Sequence, residues 1–443
     1  MIRKIFCIVL IFVSGILFAK DFKSSPKELK PTRVRELISS YGIKFWYHQD
    51  GSTPLINIAV AFKNSGTAHM ISTKRSVPDL YMSTVLCGSG QYSKEEFQEK
   101  LQNISVKLYG HADFDNVVFL YKYPKIVSDE AISLFLLALN SPKFEKKEVE
   151  KKKISLSYLL ETYQVAPLFW YMNVMMPKVL FADHPYRDGL GNSEEVLKLN
   201  RTDLEAFHKK YIVRNNVELC IFGDISEADA IKLADKILAN IPQGKESFDN
   251  ISDTEVKLQN FSRNYYYEGP QSYVIFSLPN FLKFSEKKFA SIVLYLILGG
   301  DSFKSRIIKK LRSDAGLIYS GGLHTVGLKH AIFSIGVLQT SNKNVDTTIS
   351  EIKHILKQLK EEGISQEELD FAKSNIKGTF LVNLRTAEDL CSFYMSKKLQ
   401  GYSIDVLEEF LQGIDSVNLE QVNLVAKELL DENKLPVVVI GGK

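Results

Sequence analysis

Four cysteines in 443 residues, at positions 7, 87, 220 and 391, are too few and too far apart for a disulfide framework. Cys87, Cys220 and Cys391 sit in apolar strings (TVLCGSG, VELCIFG, EDLCSFY), where a cysteine reads as a small buried hydrophobe. Cys7 lacks the small residues that precede a lipid-modified cysteine, so no lipoprotein is expected. Proline is also sparse, at 13 residues, which together with 45% hydrophobic and 11% aromatic content excludes a disordered chain. Neither sign of charge is in clear excess: 56 basic against 52 acidic side chains leave +4, which gives no electrostatic reason to expect a nucleic-acid partner. The eight histidines contain no i,i+4 pair, and most read as surface or hydrogen-bonded residues. No Gly-x-Ser-x-Gly elbow, phosphate-binding loop or dinucleotide fingerprint is present.

What is there begins with an amino-terminal signal pattern. Arg3 and Lys4 precede an apolar run from Ile5 to Phe18, and Ala19 offers a small cleavage-site residue. The run is shorter than the roughly 20 residues a spanning helix needs, so residues 1–19 are expected to be a cleaved export signal, with a retained anchor as the alternative. Loss of Arg3 and Lys4 would lower the formal charge from +4 to +2. A bacterial periplasm is the expected compartment, with no stable membrane span after cleavage.

The mature chain carries one plan twice. In the first half, GIKFWYH and LINIAVAF read as strands, a helix around Pro78–Leu86 follows, and Gly88 and Gly90 mark a turn. SKEEFQEKL then begins a helix with Ser93 as N-cap and Glu96 at its third position. Two more strands, SVKLYGHA and NVVFLYKY, precede helices over Ser128–Leu160. The second half repeats this order: strand SYVIFSL, helix KFASIVLYLIL, Gly299 and Gly300, helix SFKSRIIKKLR, strands GLIYSGGLHT and HAIFSIGVL, then helices. Each half closes on a β-branched strand, in NNVELCIFGDIS and KLPVVVIGGK. Runs of strands and helices without strict alternation imply an α+β fold of two homologous domains, each a largely antiparallel sheet packed with helices. The polar stretch Pro242–Lys257 marks the junction, giving domains at 20–245 and 261–443 around a linker at 246–260. The charged run from Phe144 reads as a solvated helix face and LFWYMNVMMP, from Leu168, as a core helix, with a peptide-chamber wall as the alternative.

Three strings carry a family resemblance. HPYRDGLGNSEEVLKLNRTDLEAFHKKYIVRNNVELCIFGDIS, SRIIKKLRSDAGLIYS and the helical carboxyl end together resemble the insulinase/pitrilysin family of zinc peptidases, over roughly Pro31–Lys443. Family peptidases carry His-x-x-Glu-His on the helix before the first glycine turn, with two imidazoles on zinc and the glutamate activating its water. Laid on that pattern, SVPDLYMSTVLCGSG places Asp79, Met82 and Ser83 at the three positions. Ile154–Leu160, where a further glutamate ligand belongs, holds no carboxylate, and Glu161 is the nearest acid. No metal ligand and no catalytic residue are therefore expected in this chain, because a general base needs a titratable group and neither Met82 nor Ser83 supplies one.

The resemblance further implies that Arg312 and Tyr319 occupy the places of an Arg/Tyr pair that reaches into the family's active chamber. Both are donors suited to holding a substrate carbonyl and its oxyanion. Read without the resemblance, Arg312 is a helix C-terminal cation and Tyr319 a half-buried strand aromatic. The expected function is a non-catalytic, substrate-binding subunit of a heterodimeric periplasmic zinc peptidase. Its partner would be a homologue carrying His-x-x-Glu-His and the zinc, and its substrate a peptide or unfolded polypeptide. The alternative is a scaffold or peptide-binding protein of the same fold without a hydrolytic partner.

Overall fold

The computed structural model describes residues 33–162, 168, 176–181, 183–189, 191–245, 250–256 and 262–442. The expected signal segment, both ends of the 246–260 linker and most of the Leu168–Pro177 string lie outside these residues.

Strands β1 (Arg35–Ile38), β2 (Lys44–Gln49), β3 (Leu55–Phe62), β4 (Lys107–Ala112), β5 (Val117–Pro124) and β6 (Val217–Gly223) form a sheet in the order β1-β2-β6-β3-β5-β4. A second sheet has the order β7-β11-β8-β10-β9, from β7 (Ser262–Tyr266), β8 (Gln271–Pro279), β9 (Ile318–Gly327), β10 (Ile332–Ser341) and β11 (Val437–Gly441). Adding five to the labels of β2, β6, β3, β5 and β4 reproduces the second sheet. The pairing directions also repeat: β2–β6 and β7–β11 are parallel, and the other pairs are antiparallel. The duplication expected from the strand strings is thus a property of the topology. The short strands β1 and β7 escape the sequence reading because their half-exposed residues lack a clear alternation.

Both faces of each sheet are covered, which is why LINIAVAF and VVVIG are apolar without alternation. In β3, Ile58, Val60 and Phe62 face the domain's own helices, whereas Ala59 and Ala61 face the Ala387–Leu399 helix from the other half. The alanines let that helix lie close, and Trp46 meets its Tyr394 edge-on at 5.7 Å between ring centroids. The second sheet is covered in return: Met176, Leu180, Phe181 and Tyr186 of the first half pack on Ile275, Phe333, Ile335, Val438 and Ile440. Each half therefore completes the core of the other. Cys87, Cys220 and Cys391 are free and buried, and the Cys391 thiol lies 3.8 Å from the Asn57 carbonyl oxygen in this inter-half core.

Helix α1 (Val77–Thr84) carries the string aligned with the zinc motif, and the helix α2 (Lys94–Asn103) after the glycine turn opens on the expected capping box between Ser93 and Glu96. Helices α3 (Ser128–Asn140) and α4 (Lys146–Thr162) follow. The equivalent helices of the second half depart from expectation. KFASIVLYLIL is α-helical over Lys288–Tyr295 and widens into a π-helix at Leu296–Gly300. SRIIKKLR is α-helical only at Arg306–Ile308 and π-helical over Lys309–Asp314, where the Ala315 amide reaches back to the Lys310 carbonyl at 3.1 Å. Periodicity of apolar residues does not separate a π-turn from an α-turn over so few residues, so the sequence reads both as plain helix.

Candidate functional site

Asp79 occupies the third position of α1, next to Pro78 in the first turn; the residue is partly exposed, with its Oδ2 oxygen buried. One carboxylate oxygen, Oδ2, has no hydrogen-bond partner among the described residues. Burial, with Asp113 and Glu195 nearby, pushes its carboxyl from 3.8 up to about 7. Asp113 is raised in the same way, by burial and by Asp115. Glu195 is raised by burial, although its carboxylate accepts from the Ser76 amide at 2.8 Å at the start of α1, where the helix dipole favours an anion. The cation serving this acidic pocket is Arg75. Its guanidinium, 11% exposed, donates to the carbonyls of Thr67 and Pro185 and to Asp188, each at 3.1 Å.

The other two aligned positions have different commitments. Met82 lays its methyl group on β4, 2.5 Å from where a side chain at Gly110 would begin; the Val118 carbonyl oxygen, 2.4 Å from the same point, is what requires glycine there. The Ser83 hydroxyl donates to the Leu80 carbonyl at 2.8 Å within the helix. On α4, Glu161 is exposed and accepts from Ser157 and Ser193. A thioether packed against β4 and a hydroxyl satisfied within its own helix do not fit zinc, which takes several deprotonated N, S or O ligands converging at about 2 Å, and Asp79 alone does not make such a set. Among the described residues no three His, Cys, Asp or Glu side chains converge as a metal site. Between the aligned positions, Tyr81 points the other way, into the core, and bonds His208 at 2.9 Å; burial lowers that imidazole to about 4.

Sequence reasoning missed a second group, a polar network that ties the halves together. Tyr186, in the HPYRDG string, donates to Asp115 at 2.7 Å and accepts from the His330 amide at 3.2 Å. His330 meets Asp253 at 2.8 Å, and Asp115 lies 3.6 Å from His69. His184 accepts the Tyr186 amide on Nδ1 at 3.2 Å and so donates from Nε2 to the Ser252 carbonyl at 3.0 Å, which fixes it as a neutral, structural residue. The HPY string was the available signal. Its partners, at 69, 115, 253 and 330, are distant in sequence.

Arg312 and Tyr319 sit elsewhere, at the junction of the second π-helix with β9, joined by the Leu317 amide to the Leu311 carbonyl at 2.7 Å. Arg312 is exposed, Tyr319 is 55% exposed, and neither has a hydrogen bond or ion pair to another described residue. Tyr319 is the extra residue of a β-bulge, since Ile318 pairs with Thr340 and Ser320 with the adjacent Gln339. A bulge at a sheet edge re-aims the side chain it carries. Tyr319 is thus a roughly half-buried aromatic of β9 that stands at a bulge, unpaired across the ladder.

Residues 198–376 match the family model described as the Peptidase M16 inactive domain. The chain is 25% identical over 402 residues to the non-peptidase homolog YmxG of Helicobacter pylori, covering 90% of this chain and 91% of that protein. Its fold is similar to a peptidase M16 inactive domain from Pseudomonas fluorescens (TM-score 0.82, 20% identity, 93% and 98% of the two chains). It is also similar to about half of the periplasmic protease PqqL from Escherichia coli (TM-score 0.74, 17% identity, 93% of this chain and 48% of that one). With Asp79, Met82 and Ser83 in place of the inverted zinc motif, the chain is similar over most of its length to M16, insulinase/pitrilysin-like proteins, among them ones named as inactive or non-peptidase.

Proposed function

We propose that this chain is the substrate-handling half of an exported, two-chain zinc peptidase, with zinc and general base supplied by a homologous partner that carries His-x-x-Glu-His. The observation that carries this reading is the state of Arg312 and Tyr319: two donors, exposed and without partners among the described residues, on a π-helix and an edge-strand bulge. Both backbone irregularities recur at functional sites. A guanidinium and a phenol that both reach a bound peptide can hold its carbonyl and stabilise the oxyanion formed as water adds to it. The edge strands β4 and β9 support a peptide ligand too, because an extended chain can add to such an edge through main-chain hydrogen bonds. Among the described residues no helix is long and apolar enough to cross a membrane. The periplasmic assignment rests on the Arg3–Ala19 pattern and on the periplasmic location named for PqqL.

In the reconstituted pair, Arg312→Ala should lower kcat/KM by about 10²-fold, the scale for loss of one oxyanion donor, with zinc content unchanged. Peptide turnover equal to that of the unsubstituted pair would remove Arg312 from the mechanism. The scaffold reading is favoured by the packed, self-satisfied condition of Met82 and Ser83. Co-purification from the native source separates the two, since a scaffold would come without a zinc-bearing homologue.

A further inference from the structure

A cavity of about 610 Å³ opens on the β1–β2–β6 side of the first sheet, away from α1 and from Arg312. Its walls come from both halves: Lys44, Lys63 and Arg214 from the first, Lys398 from the Ala387–Leu399 helix of the second. We propose that this cavity binds a polar ligand through an oxyanion, a carboxylate or a phosphate, held between the two halves of the chain.

The charges in the walls do not balance. Glu218 pairs with both Lys63 at 3.0 Å and Lys398 at 3.2 Å, and Glu36 pairs with Lys44 at 2.6 Å. Two carboxylates therefore serve three lysines, and Arg214 has no carboxylate partner among the described residues. Its guanidinium lies 4.2 Å over the Tyr41 ring and is anchored by one nitrogen on the Ile241 carbonyl at 3.0 Å. Stacked and tethered in this way, with Nε buried, the planar fork is preorganised while Nη1 has no partner among the described residues, the condition under which arginine recognises carboxylate or phosphate. Asn215 and Gln243 add neutral amide donors to the lining. The volume lies in the usual range for small-ligand sites, roughly 300–1,000 Å³, while the polar walls disfavour an apolar occupant. Because Lys398 reaches in from the second half, a bound anion would also tie the halves together and raise thermal stability.

The probes are inorganic phosphate and citrate, titrated into the full chain with total ionic strength held constant by sodium chloride, so that general screening cancels. Thermal denaturation should show a saturable rise in Tm with at least one probe over the chloride control. Response to phosphate alone marks a phosphate site, response to citrate alone a carboxylate site, and both support the proposal. Arg214→Gln should weaken the responding probe at least tenfold. Lys44→Gln alters only an exposed, singly paired lysine and should weaken it several-fold even if the Arg214 variant does not fold. Equal Tm in phosphate, citrate and chloride would overturn the proposal, as would variants that bind like the unsubstituted chain.

Discussion

Asp79→Asn is expected to stabilise the protein by about 3 kcal/mol at pH 8 and by almost nothing at pH 4. Burial raises the folded-state carboxyl from 3.8 to about 7, so between those values the unfolded chain gives up a proton that the native chain keeps. The stabilisation associated with protonated Asp79 is complete below about pH 3.8 and is lost progressively as pH rises to about 7, beyond which the penalty is constant. The rise from 3.8 to about 7 corresponds to about 4 kcal/mol. The amino terminus of α1 opposes it by up to about 1 kcal/mol, since an anion there is favoured by the helix dipole. Asparagine has nearly the same shape and does not ionise, so it removes this slope. Urea unfolding of both proteins at pH 4, 6 and 8 measures it. A difference independent of pH would mean that the Asp79 carboxyl titrates in the native protein as it does in the unfolded chain. Stability gained by removing an acid from the aligned zinc position would also fit a chain that holds the position for neither metal nor catalysis.

Arg75→Ala should act in the opposite direction and cost about 3–5 kcal/mol near neutral pH, the scale for deleting one member of a buried charged network. The guanidinium ties the turn at Thr67 to Pro185 and Asp188, across more than 100 residues of chain, and lies beside the raised Glu195 carboxyl. Its loss would leave two carbonyls short of a donor and Glu195 without its nearest cation. Arg75→Lys should recover only part of the stability, because a single ammonium cannot span the same three acceptors. Equilibrium unfolding at pH 7.5 tests both substitutions, and a loss under about 1 kcal/mol for Arg75→Ala would show that solvent replaces the guanidinium without cost.

The two substitutions bear on why the site was only partly legible. The absence of the zinc motif was visible as three residue identities, because imidazole and carboxylate chemistry is a property of residue type. The local expectations that held were also short-range ones: the Ser93–Glu96 capping box, the glycine turn at Gly88 and Gly90 (φ +99° and +56°), and the continuous apolar strand β3. What Met82 and Ser83 do instead was not legible. The contact of Met82 with Gly110 and the raised carboxyl of Asp79 depend on β4, Asp113 and Glu195, which are brought beside α1 only by the fold.

By itself, then, the sequence determined the doubled α+β plan and the lack of a peptidase motif, since apolar patterning and residue chemistry act locally. Only the tertiary structure decided how the halves share their cores and how Tyr186 bridges Asp115 to His330. It also decided that Tyr319 stands unpaired at a bulge within β9. Each of these depends on register or on contacts between segments far apart in the chain, and a shift of one residue in a strand reverses the face to which every side chain points.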